Sequence, residues 1–190
     1  AFDAGILCFN IESPAELERL NEVAGQCGGR APVSLRVNPN VDPKTHPYIS
    51  TGLKEAKFGV AYDDALALYR RAAALPNIEV AGIDCHIGSQ LLDPAPFVEA
   101  LDRILALVDQ LTAAGIRIHH LDLGGGLGIK YKADQVQPTV ASYLTPLLDK
   151  LQGRGLQVVL EPGRRLVGNA GLLLTKIEYL KEGEGKNFAI

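Results

Sequence analysis

The sequence predicts an α/β fold built on a parallel sheet. Two observations carry that prediction. Short apolar runs alternate with longer amphipathic stretches that have helix start and stop signals, and parallel strands need such crossovers. Polar and glycine residues also gather at the C-terminal end of each apolar run.

The elements follow in order. The run GILCFN (5–10) reads as a strand and leads into SPAELERLNEVAGQCGG (13–29). There Ser13 caps a helix, Pro14 suits its first turn and Glu16 completes a capping box. Leu17, Leu20 and Ala24 form its apolar stripe, and Gly28-Gly29 ends it. The strand VSLRVNP (33–39) precedes a polar loop, NPNVDPKTHPYISTGLKEAKFGV (38–60), longer than a routine connection and therefore a candidate functional loop. A helix at DDALALYRRAAAL (63–75) and a strand at VAGIDCHIG (80–88) come next. The stretch PFVEALDRILALVDQLTAAG (96–115) places Phe97, Leu101, Ile104, Val108 and Leu111 on one helical face. A strand IHHLDLGGG (118–126), a helix around TVASYLTPLLDKLQGRG (139–155) and a strand QVVLEPG (157–163) complete five strand units. A last run, AGLLLTKIEYLKEG (170–183), reads as a strand leaving the pattern. Active sites lie at the C-terminal ends of the strands in a β/α barrel and in a doubly wound sheet alike, so this clue locates the site without choosing the fold.

Composition narrows the function. The chain has 190 residues, 47% hydrophobic and 22% charged, with a net charge of −3. It has no basic run, so neither nucleic acid nor an anionic membrane is an expected partner. No apolar stretch approaches the roughly 18 residues of a membrane span. Cys8, Cys27 and Cys85 are an odd set without CxxC spacing, which fits reduced thiols in the cytoplasm better than disulfides or zinc. The start lacks the basic region of a signal peptide. Methionine is absent, so both ends are expected to be cuts in a longer chain.

Three motifs carry chemistry. In LDLGGGLG (121–128), Gly124, Gly125 and Gly126 directly follow a strand and let backbone N–H groups approach a phosphate; an ordinary βα turn is the plainer alternative. In EPGRR (161–165), Glu161 closes an apolar strand, where a buried carboxylate needs a proton or a cation. Gly163 permits close approach, and Arg164 and Arg165 suit phosphate or carboxylate, although a rim Glu–Arg pair has the same composition. In DCHIGSQ (84–90), His86 meets Gly88 and Ser89, a pair able to bind an anion. His120 and Asp122 share a strand face, but His120 sits well before the strand's end, inside or below the sheet's mouth; no metal is expected.

Together these motifs resemble the fold-type III pyridoxal-phosphate decarboxylases acting on ornithine, arginine and diaminopimelate. HHLDLGGGLG is similar to that family's glycine signature, and HIGSQ and EPGRR fall in its order and spacing. Within the family, the long loop most resembles the members acting on diaminopimelate. The resemblance implies an alanine-racemase-like (β/α)8 TIM-type barrel that binds pyridoxal 5′-phosphate. Residues 1–170 would be roughly the last five of its eight strands, and residues 171–190 the start of a C-terminal β domain. It implies that His86 stacks on the cofactor ring and Glu161 faces the ring nitrogen, both as catalytic residues. The cofactor would be held by His86, Ser89, Gly124, Gly125, Gly126, Glu161, Pro162, Gly163 and Arg164, and Arg164 would also reach a substrate carboxylate. The loop residues His46, Ser50 and Thr51 would border the pocket. The family's Schiff-base lysine and the cysteine of its second domain lie outside this chain, so residues 1–190 alone are expected not to decarboxylate.

The implied reaction is decarboxylation of meso-2,6-diaminopimelate to L-lysine and CO2, the last step of lysine biosynthesis, by a cytoplasmic homodimer. Alternatives are a family member acting on ornithine, arginine or carboxynorspermidine, a catalytically dead relative that binds a partner protein, and an unrelated phosphate-binding barrel. Gly125→Val is expected to cost cofactor affinity more than fold stability.

Overall fold

A computed structural model describes residues 1–42 and 57–190 of the chain. His46, Ser50 and Thr51 lie outside the described residues.

Helix α1 (Pro14–Gln26) begins at the expected cap: Ser13 Oγ accepts the Glu16 N–H at 3.2 Å. The Glu16 carboxylate reaches back one residue further than in a standard capping box, accepting from the Glu12 N–H at 2.8 Å and from the Ser13 hydroxyl at 3.0 Å. Helices α2 (Tyr62–Ala74), α3 (Ala95–Ala113) and α4 (Val140–Leu151) follow, and Thr139 Oγ1 caps the last by accepting from Ser142 N–H.

Between them run the parallel strands β1 (Phe9–Ile11), β2 (Ala31–Asn38), β4 (Ile78–Asp84), β5 (His120–Asp122) and β6 (Gln157–Val159), paired in that order. A two-residue strand, β3 (Val60–Ala61), returns from the long loop and pairs with the end of β2. The first strand starts later than the apolar run does, because Phe2–Ala4 forms a 3-10 turn closed by Gly5 at φ 61°. A short helix, α5 (Gly163–Val167), follows β6. Leu172, Leu173 and Leu174 stand exposed outside any strand, and only Leu180–Lys181 (β7) pairs, antiparallel, with Phe188–Ala189 (β8). No described helix is long and apolar enough to cross a membrane.

The register sorts the sheet into rows. Leu35, Ile83 and Leu121 align across β2, β4 and β5 and are fully buried in the core shared with the helices. The opposite face is polar. One row runs Asn10, Ser34, Gly82, His120, Gln157; the next runs Arg36, Asp84, Asp122, Val159. Layered inward-facing rows are how a barrel fills its interior.

The ladder between β2 and β4 breaks at Val33/Ser34, where β4 carries one extra residue. The buried Tyr69 hydroxyl of α2 repairs the gap, donating to Gly82 O at 2.8 Å and accepting from Leu35 N–H at 3.4 Å. Tyr69→Phe strands both backbone groups and is expected to cost about 1–3 kcal/mol. Urea denaturation checks this, and a wild-type midpoint would show the hydroxyl to be dispensable.

Candidate active site

Each strand delivers its polar residues at its C-terminal end. One cavity there is lined by His86, Ser89 and Gln90 after β4, Gly125, Gly126 and Leu127 after β5, and Glu161, Pro162, Gly163 and Arg164 after β6. Three motifs far apart in sequence thus meet at one rim.

The three glycines divide their tasks. Gly124 N–H donates to Asp122 Oδ1 at 2.8 Å, and Gly125 N–H donates to His86 Nδ1 at 3.1 Å. Gly126 N–H makes no hydrogen bond among the described residues, nor do the N–H groups of Gly163 and Arg164. Gly124 lies away from this rim cavity and lines an apolar one between α4 and the strand ends, with Tyr143, Leu144 and Leu160. Two of the three glycine N–H groups are therefore engaged inside the protein. Steric room gives the same division. A Cβ on Gly125 would come within 2.0 Å of Glu161 O, and one on Gly126 within 2.1 Å of Gly88 O, whereas one on Gly163 would meet nothing within 4 Å.

His86 is held as the neutral tautomer with its hydrogen on Nε2, because Nδ1 accepts from Gly125. Burial pushes its pKa below the ordinary histidine value, and the Arg36 charge adds to that. Glu161 differs from expectation. It lies beyond the end of β6 and is exposed rather than buried, while its N–H continues the ladder to Gly124 O at 2.8 Å. Its carboxylate forms no ion pair with Arg164, Arg165 or any other described residue, which removes the rim salt-bridge alternative. Partial desolvation and the nearby Asp122 raise its pKa, and Arg36 opposes them.

Sequence reasoning passed over Gln90. Its backbone sits at φ 62°, and its amide clamps both polar groups of Ile129, donating to O and accepting from N–H. Arg164 Nη1 donates weakly to the same Gln90 Oε1, at 3.4 Å. Only positive φ marks this residue as special, and glutamine carries no such signal in sequence. Arg36 was also passed over, although its alternation with Ser34 and Asn38 in β2 was visible.

A family model described as the pyridoxal-dependent decarboxylase, pyridoxal binding domain, matches residues 1–168. The chain belongs to this family. Its cofactor is pyridoxal phosphate. The diaminopimelate decarboxylase of Pseudomonas aeruginosa is 58% identical over 190 residues, all of this chain and 46% of that protein. The chain thus spans about half the length of the curated relatives it matches. The crystal structure of the Helicobacter pylori diaminopimelate decarboxylase complexed with L-lysine superposes with a TM-score of 0.89 at 40% identity, covering 98% of this chain and 47% of that one. The arginine decarboxylase of Paramecium bursaria Chlorella virus gives 0.67 at 26% identity, covering 85% and 40%. These neighbours are decarboxylase barrels, so the parallel sheet is part of a (β/α)8 barrel.

The rim fits such a cofactor. Unengaged N–H groups at Gly126, Gly163 and Arg164, the Ser89 hydroxyl and the Arg164 guanidinium suit a phosphate ester. The flat, neutral His86 ring and the unpaired Glu161 carboxylate flank the same space.

Proposed function

We propose that the full-length protein decarboxylates meso-2,6-diaminopimelate, breaking one Cα–carboxylate bond to release CO2 and placing a proton on that carbon to give L-lysine. The observation that carries this reading is 58% identity to a diaminopimelate decarboxylase across the whole chain, with the three rim motifs intact. The bound cofactor supplies an electron sink for the carbon left when CO2 departs.

The residues of this chain bind and tune. Gly126, Gly163, Arg164 and Ser89 would hold the phosphate, with Pro162 turning the chain so that the Gly163 backbone borders the same cavity. His86, kept uncharged by the Gly125 N–H, would pack against the cofactor ring. Glu161 would keep a proton on the ring nitrogen, which a carboxylate favours and a neutral side chain does not. Arg164 reaches a substrate carboxylate as well as the phosphate. The three free cysteines support a reducing compartment, and with it the cytoplasm. The family resemblance supports a homodimer, and also supports reading residues 171–190 as the start of a second domain.

Full-length protein supplied with pyridoxal phosphate should release CO2 and L-lysine from diaminopimelate faster than it decarboxylates ornithine or arginine. A preference for either of those would overturn the substrate assignment.

Gly163→Ala separates binding from folding at this rim. The added methyl has open space in the protein, so the melting temperature should match wild type. The same methyl narrows the backbone's approach to phosphate, so pyridoxal-phosphate affinity should fall measurably in a fluorescence titration. Unchanged affinity would move the phosphate elsewhere on the rim.

A further inference from the structure

The polar face beneath the rim carries more acid than base. Arg36, Asp84 and Asp122 share one row, and Glu12 joins it from the end of β1. Among the described residues Arg36 is the row's single cation, and it is committed to Glu12, with Nη1 2.8 Å from Oε1. Glu12 holds the returning loop in turn, accepting the Gly59 N–H at 3.0 Å. Asp122 is also engaged, on the Gly124 N–H. Asp84 is the exception. It is 4% exposed, its Oδ1 is buried without a hydrogen-bond partner among the described residues, and Arg36 Nε stands 4.0 Å from its Oδ2. A buried carboxylate in that position must acquire a full counter-charge or a proton.

We propose that Asp84 is a neutral carboxylic acid in the working protein and acts as a positioning residue, leaving Arg36 on Glu12 and Asp122 on the glycine turn. The groups facing it agree with that assignment. Asp122 approaches from β5, Glu161 from beyond β6, Arg36 from β2, Glu12 and Cys8 from the two ends of β1, the Tyr69 hydroxyl from α2, and Cys85 adjoins it in sequence. Of these, only Arg36 carries a fixed positive charge. Burial first, and then the charge of Asp122, push the Asp84 pKa up to about 8, against the pull of Arg36. Were Asp84 ionised, Arg36 would be drawn off Glu12, and Asp122 would face a like charge while holding Gly124. Gly124 adjoins Gly125, whose N–H fixes His86, so the disturbance would reach the rim. That last step rests on the cofactor assignment above; the protonation of Asp84 does not.

The pH dependence has a definite sign. The folded-state pKa lies above the unfolded value of about 3.9, so folding takes up a proton between the two. Stability is full at low pH and falls as pH rises towards about 8, beyond which the loss levels off.

The experiment compares full-length wild type with Asp84→Asn by urea denaturation without cofactor, from about pH 5 to about pH 9. In wild type the unfolding constant should rise by up to about tenfold per pH unit until pH reaches about 8, and Asp84→Asn should remove that rise. Superimposable pH dependences would overturn the proposal. Should the variant fail to fold, the infrared spectrum of wild type decides. A carboxylic-acid carbonyl band present at neutral pH and lost on moderate alkalinisation supports the assignment, and its absence at neutral pH refutes it. With cofactor bound, the alkaline limb of kcat/KM should move upward or vanish in Asp84→Asn; an identical limb in both proteins would refute the positioning role. A full-length protein that binds no pyridoxal phosphate would end the cofactor assignment and leave the denaturation result standing.

Discussion

A Gly125→Val protein is expected to unfold at a markedly lower urea concentration than wild type, before any question of ligand arises. The first atom of the new side chain would lie 2.0 Å from Glu161 O and 3.1 Å from its carbonyl carbon. Both are backbone atoms, in a segment that also ties Glu161 N–H to Gly124 O at 2.8 Å. No rotamer relieves such a contact, because the clash is with Cβ itself. The β5 and β6 ends must separate, breaking that hydrogen bond and the one from Gly125 N–H to His86. Overpacking of flexible cores costs about 1–3 kcal/mol, and a backbone clash belongs at or above the top of that range. The sequence alone pointed to a loss of cofactor affinity, since glycines after a strand suggest room for a ligand. The structure shows that the room is taken by the backbone of Glu161. A variant with wild-type urea midpoint and lost pyridoxal-phosphate binding would restore the ligand explanation.

Full-length Glu161→Gln is expected to bind pyridoxal phosphate nearly as wild type does and to turn over at least about tenfold more slowly. The proposed phosphate grip lies on Gly126, Gly163, Arg164 and Ser89, so affinity has little reason to change. The amide cannot favour a proton on the ring nitrogen as a carboxylate does. Losing a charge-assisted hydrogen bond costs about 1.5–3 kcal/mol, which is roughly one to two decades in rate. The loss should fall on kcat, because the ring accepts electrons chiefly in the transition state. Stability should move little, since the side chain is exposed and makes no ion pair among the described residues. A wild-type kcat would refute the assignment of Glu161 to the ring nitrogen.

The helices were legible because their signals are local. Ser13 caps where its spacing says, and Gly115 stops α3 at φ 77°. The alternation with apolar strands was legible for the same reason. Less so were features decided by distant contacts. Residues 2–4 turn away from the sheet, two residues of the long loop form β3, and α5 spans only five residues. At the rim, the motifs identified the residues that gather, but not which N–H group each glycine still has to give. That depends on Asp122 and His86, which lie elsewhere in the chain's path. Glu161 looked buried because an apolar strand precedes it, yet the strand stops short of it. Gln90 was invisible as a clamp, since nothing in a glutamine announces a left-handed backbone.

The row below the acids also has an evolutionary consequence. Gly82 and His120 stand opposite each other in the register, and a Cβ on Gly82 would fall 2.1 Å from His120 Nε2. The imidazole occupies the volume that position 82 leaves vacant, and Cys8 Sγ closes over it at 3.4 Å. The two sites therefore share one allotment of space. A larger residue at 82 is compatible only with a smaller one at 120, so related proteins should exchange bulk between these positions in step, and a single change at either one takes the chain through a clash or a void.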